Sequence, residues 1–280
     1  MLKQLIKYEL KATSRTFAGL YLALMAVVVA LGLSMRLEIG GDTVIVVLVL
    51  VYGALCVAIA VVTLLQIVER FAKNLLGREG YLMHTLPVTE NQLILSKLLT
   101  SVLWAVCGVL VGLLSMAVLF GILCFQPEVM AEMSEQFAQL RVMQEQVHIL
   151  GELVQGVAAG AICFVAWGSR LVLQIYAACM LGHQFKKYPL PAGILAFFLL
   201  AMAENLLTDL LNAVTMGICT AVGSGTAAML RTLLITGELD AFPSAAVLWL
   251  WVLGTVVLNA AFGTAYFFLT SRLMKHRLDL

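Results

Sequence analysis

The chain has 280 residues, of which 62% are hydrophobic and only 12% charged. Its mean hydropathy of +1.01 excludes a water-soluble globular domain, in which about half of the residues are apolar and about a quarter charged. The formal net charge of +1 points to no partner and gives no reason to expect nucleic acid, because the signs are sorted by position along the chain.

These numbers predict an all-α polytopic membrane protein, since backbone groups facing lipid must be satisfied within their own segment. Residues 1–16, MLKQLIKYELKATSRT, place Lys3, Lys7, Lys11 and Arg15 at every fourth position. Leu2, Leu5, Ile6, Leu10 and Phe17 fall mainly elsewhere on the helical wheel, the pattern of an amphipathic helix lying in the interface. A positive flank without fixed structure is the alternative. No small-residue cleavage site follows a short apolar core, so no cleavable signal peptide is expected.

A span needs about 20 predominantly apolar residues. Six stretches qualify, at about 17–35, 43–68, 97–125, 151–182, 189–222 and 244–270, and together they make one transmembrane domain over 17–271. Between the second and third lies a polar segment, 69–96. Between the third and fourth, 126–150 spaces Met130, Met133, Phe137, Leu140 and Val147 along one helical face, with Glu128, Glu132, Glu135 and Glu145 elsewhere and Pro127 at the start. That is the pattern of an external amphipathic helix, which packs on the outer mouth or meets a substrate or partner. Between the fifth and sixth, Met229, Leu230, Leu233, Leu234 and Ile235 are too apolar for an open loop and too few to cross, so a short helix at the outer leaflet is expected. Residues 272–280 form a tail.

Orientation follows from the basic residues of the connections. Lys3, Lys7, Lys11, Arg15, Arg70, Lys73, Arg78, Lys97, Lys186, Lys187, Arg272, Lys275 and Arg277 fall on one side, 13 in all, against Arg36, Arg141 and Arg231 on the other, 3 in all. Both termini are therefore expected in the cytoplasm, with the 69–96 segment.

Chemical motifs are missing. There is no G-x-x-x-x-G-K-[ST] phosphate loop, no H-E-x-x-H and no G-x-S-x-G, and His84, His148, His183 and His276 are scattered. The six cysteines lie in apolar runs without a CxxC pair, which reads as buried thiols rather than a disulfide framework. No catalytic residue, cofactor site or metal site is expected on this chain. GxxxG spacings at Gly108/Gly112 and Gly156/Gly160 permit close helix approach, with packing inside the chain as the default.

Ionisable groups inside spans are rare and are usually paired or functional. Arg170 lies 16 positions before Lys186 and Glu204 lies 18 after it. In an antiparallel hairpin at about 1.5 Å per residue the two reach similar depth, which predicts an Arg170–Glu204 contact. Such a pair either holds the bundle together or lines a polar path. Asn205, Asp209 and Asn212 form a polar stripe on the same span, expected to face protein or water.

The richest segment is GREGYLMHTLPVTENQLILSK, Gly77 to Lys97. Pro87 interrupts any helix and pushes Leu86 toward an extended conformation. Thr89 stands three before Gln92, a capping-box arrangement that opens a new helix. Ahead of the break, Gly77 and Gly80 bracket Arg78 and Glu79, and Tyr81, Leu82 and Met83 follow with His84, the mixture of apolar anchors and charges found at protein-binding surfaces.

With six spans, both ends inside and a basic interfacial helix, this segment resembles the coupling loop of the permease subunits of type-2 ABC exporters. The matching positions are Glu79-Gly80, Leu82-Met83, Leu86-Pro87-Val88-Thr89 and Lys97, whereas Arg78 and His84 stand where that family is less basic. The resemblance implies a cytoplasmic coupling element, the family's coupling helix, over Gly77–Thr89 that docks on a separate ATP-binding subunit, with Gly77–Pro87 supplying the contacts. It further implies two such subunits carrying ATP and Mg, a second permease chain (a copy or a relative), and a place in the bacterial cytoplasmic membrane. A secondary transporter, or a membrane scaffold or enzyme, is the alternative; the former predicts two similar halves with helices broken at mid-membrane, and no internal repeat is evident.

Overall fold

The structure is a computed structural model that describes residues 2–37, 39–76, 90–124, 149–185, 188–222 and 245–277. It is all-helical over those residues. The helices are α1 (Leu2–Leu37), α2 (Gly41–Leu76), α3 (Glu90–Cys124), α4 (Ile149–His183), α5 (Pro189–Val222) and α6 (Ala245–Arg277). Each is long and apolar enough to cross a membrane, which makes the chain a multi-pass membrane protein. The coupling segment, the external amphipathic helix and the short outer helix expected from sequence fall within 77–89, 125–148 and 223–244, outside the described residues.

The helices are 33–36 residues long, or about 50–54 Å, against a hydrocarbon core of about 30 Å. They overshoot the expected spans mainly where charge lies next to apolar sequence, at Glu69–Leu76 and Glu90–Ser96. The clearest difference is at the N-terminus, where α1 runs unbroken through Ser14–Phe17 and the expected interfacial helix is its first four turns. No Gly or Pro precedes Gly19 to end a helix, and the Thr13 hydroxyl donates back to the Glu9 and Leu10 carbonyls at 2.9 and 3.3 Å, following the ladder rather than competing with it. Lys3, Lys7, Lys11 and Arg15 stay exposed, while Glu9, Thr13, Phe17, Leu24, Val28 and Leu31 are buried along one stripe.

The chain divides into two compact units, Met1–Leu150 and Gly151–Leu280. In the first, α1 and α3 share the most extensive contact and α2 packs on both. Helix α2 returns antiparallel through a turn at Gly40 and Gly41, whose φ angles of 85° and 64° are left-handed and suit glycine. Phe17 stacks on Trp104 with ring centroids 4.3 Å apart, the Tyr52 and Ser115 hydroxyls bond at 3.0 Å, and Gly32 lets Ile122 close on α1.

In the second unit, α4 and α5 form a hairpin. Pro189 opens α5 at the first helical position, where its missing N–H costs nothing. The two helices meet at Gly182 and Gly193, and a Cβ added at Gly182 would lie 2.6 Å from the Gly193 Cα and 2.7 Å from the Pro189 carbonyl oxygen. Gly112, Gly156 and Gly160 of the GxxxG spacings have open space around them. That spacing supplies a flat surface but cannot supply the opposing helix, and within this chain the close approach occurs elsewhere. Gly182→Ala is accordingly expected to destabilise by roughly 1–3 kcal/mol, as overpacking does. Gly160→Ala should be neutral or gain up to about 1 kcal/mol of helix propensity. Thermal unfolding of the two purified variants checks the contrast.

The described cysteines form no disulfide and are half-buried rather than fully buried. Helices this exposed leave an apolar run partly open at its surface, so location in such a run does not guarantee burial.

Candidate functional site

Among the described residues, each unit holds one largely buried cluster of charges. In the first, Glu9 on the buried stripe of α1 faces both neighbouring helices. Its Oε2 accepts from Arg70 Nη1 of α2, and its Oε1 accepts from Lys97 Nζ of α3 at 2.9 Å. The Lys97 side chain is only 2% exposed, Glu9 9% and Arg70 22%. Arg70 Nε also donates to Gln66 Oε1 at 3.4 Å. Trp104 Nε1 donates to the Thr13 hydroxyl at 2.8 Å, and that hydroxyl donates to the Glu9 carbonyl, so α3 holds the backbone that carries the carboxylate. Two cations thus share one anion, and an open-sided cleft adjoins them, lined in part by Thr63, Gln66 and Ser101.

Sequence reasoning missed this triad. Arg70 and Lys97 count there among the basic residues of one side, and Glu9 is given no role. A signal was present: Glu9 is the only acid among the first 37 residues, and it sits between Lys7 and Lys11. An acid on the face opposite a lysine stripe has no solvated reason to be there.

In the second unit, Arg170 Nη1 donates to Glu204 Oε1, joining α4 and α5 at the depth their distances from the turn imply. Tyr266 of α6 donates its hydroxyl to Glu204 Oε2 at 3.0 Å. The Arg170 and Glu204 side chains are 12% and 11% exposed, and Arg170 Nε is buried with no hydrogen-bond partner. Gly263 gives α6 its close approach: a Cβ there would meet Leu173 Cδ1 at 3.5 Å and the Arg170 Cα at 4.0 Å. The cluster is formally neutral.

The polar stripe of α5 does not join it. Asn205 and Asp209 are exposed and Asn212 is half-buried. A residue one step along a helix is turned by 100°, so a side chain aimed inward at 204 sends its neighbour outward. Gly77, Arg78, Glu79, Gly80, Tyr81, Leu82, Met83, His84, Leu86 and Pro87 lie outside the described residues. Their stems are described: Arg70 precedes the segment and Lys97 follows it, and both are tied to Glu9.

Chemically, the two clusters hold charge where lipid or packed side chains would otherwise surround it. Among the described residues, no group of three His, Cys, Asp or Glu is placed to hold a metal ion. The sequence matches no protein-family model, no curated protein and no solved structure.

Proposed function

We propose that this chain is the transmembrane permease subunit of an ATP-driven ABC exporter, forming half of a substrate pathway and moved by a separate ATP-binding subunit. The observation that carries the reading is the motif-bearing segment Gly77–Pro87, set between two long helices whose ends both grip one carboxylate of α1. Tethered stems can transmit displacement from a partner bound to the segment between them, whereas a plain linker between spans needs neither apolar anchors nor tethered stems. The chain has no phosphate loop of its own, and the resemblance implies two partner subunits that carry ATP and Mg. The distribution of Lys and Arg supports a cytoplasmic site for the segment and both termini, and the resemblance implies a bacterial plasma membrane.

Exposed Asp209 and Asn205 on a span are costly against lipid, which supports a second permease chain covering α5. A purified complex with one copy of this chain and no other permease would overturn the pairing. All six helices run unbroken over their described residues, which counts against a secondary transporter built on broken helices.

Coupling is tested at Tyr81 and Leu82. Burying either in a partner groove contributes roughly 1.5–3 kcal/mol, while a rim charge contributes about 0–1 kcal/mol. Tyr81→Ala or Leu82→Ala is therefore expected to weaken assembly about tenfold or more without affecting membrane insertion, and Arg78→Ala to do much less. The sequence leads us to expect a helix break at Pro87, so Pro87→Ala should swing the segment out of line by removing that break. The measurement is co-purification with the ATP-binding subunit, sought in a neighbouring reading frame with a phosphate-loop motif, together with substrate-dependent ATP turnover. Full assembly and full coupled turnover in both the Tyr81 and Leu82 variants would reduce the segment to a linker.

A further inference from the structure

We propose that the cleft beside Glu9, Arg70 and Lys97 binds the phosphodiester of an anionic phospholipid headgroup. The inference needs only that the chain spans a membrane and is independent of the transport reading. Its first support is charge. Among the described residues the cleft brings two cations to one carboxylate, and Lys97 is 2% exposed. A buried cation without a full countercharge is costly, and one phosphodiester supplies the missing negative charge. Arg70, at 22% exposed, is the cation that reaches the mouth, and its guanidinium is suited to two phosphate oxygens at once.

The second support is depth. Glu9, Arg70 and Lys97 each lie six or seven residues inside a helix end, or about 10 Å along the axis. Helices of about 50–54 Å centred on a core of about 30 Å extend about 10–12 Å beyond it at each end. On that centring the triad sits at the edge of the hydrocarbon core, just below the headgroups, where the long Arg70 side chain can extend toward a phosphodiester.

The third is shape and surroundings. The cleft is open on one side, and its walls present Thr13, Gln66, Ser101 and Trp104. Exposed Lys3, Lys7, Lys11 and Arg15 on the outer side of α1 raise the local concentration of anionic lipid. Basic pockets between membrane helices recognise such headgroups.

The full-length protein in mild nonionic detergent is offered phosphatidylglycerol or phosphatidylcholine with identical acyl chains, and native mass spectrometry reads the lipid retained. The wild type is expected to keep phosphatidylglycerol about tenfold more tightly, the worth of one charge-assisted contact. Arg70→Gln, which leaves the Glu9–Lys97 pair in place, should lose that preference. Lys7→Gln/Lys11→Gln on the exposed face should keep most of it. Equal retention of the two lipids by the wild type overturns the proposal, and this comparison stands even if Arg70→Gln does not fold. Loss of the preference in the lysine variant but not in Arg70→Gln also overturns it, because the attraction would then be diffuse. Inorganic phosphate is the remaining arm: thermal stabilisation by phosphate alone, without selective lipid retention, would make the ligand a soluble anion and overturn the lipid assignment.

Discussion

Glu9→Ala is expected to lower the stability of the protein by roughly 3–5 kcal/mol, the loss typical of removing one partner from a buried ion pair. The reason is the inventory of charge around it. Lys97 Nζ and Arg70 Nη1 both donate to this carboxylate, and the variant leaves two cations from different helices side by side without their shared anion. Size alone would cost far less, because Glu9 contributes little apolar surface. The companion variant separates the two causes. Glu9→Ala combined with Arg70→Leu removes one cation along with the anion and should recover part of the loss, although Lys97 stays buried and unpaired. Thermal unfolding of the purified protein in detergent measures all three. A double variant no more stable than Glu9→Ala alone would mean that packing, not charge, sets the effect.

The second large effect belongs to the other unit. Glu204→Gln should also cost roughly 3–5 kcal/mol, since it strands the Arg170 guanidinium, whose Nε already lacks a partner. Tyr266→Phe, which deletes a single hydrogen bond to the same carboxylate, should cost about 0.5–1.5 kcal/mol. The informative variant is Arg170→Met/Glu204→Leu, because replacing a whole buried pair with apolar residues of similar volume is often neutral or stabilising. A double variant that folds as well as the wild type can be assayed for transport. Retained turnover would make the pair a fastener for α4, α5 and α6. Lost turnover in a stable protein would place the pair on the path of a polar cargo.

The two clusters differ in how far they were legible beforehand. Arg170 and Glu204 lie on either side of one short turn, so rise per residue alone sets their relative depth. Chemistry does the rest, since two opposite charges in an apolar environment have few other partners. Glu9 and Lys97 are 88 positions apart, and Glu9 and Arg70 are 61 apart. Their meeting depends on α1 and α3 running parallel at a particular axial register, with α2 between them in sequence and packed on both. No local pattern encodes that register.

By itself, then, the sequence determined that six helices cross an apolar medium, and in what order. Hydropathy over twenty residues is a local quantity, and in lipid the backbone of a span has helix as its solution. It also determined the charge stripe on the first four turns of α1, because the period of a helix is local too. Only the tertiary structure decided that those turns continue straight into the first span and that their opposite face buries an acid. It alone decided that α4 and α5 approach closely at Gly182 and Gly193 while Gly112, Gly156 and Gly160 face open space, and that Glu204 turns inward while Asn205 turns out. Each of these depends on which faces of distant segments meet, and that is settled by packing among all the helices of a unit at once.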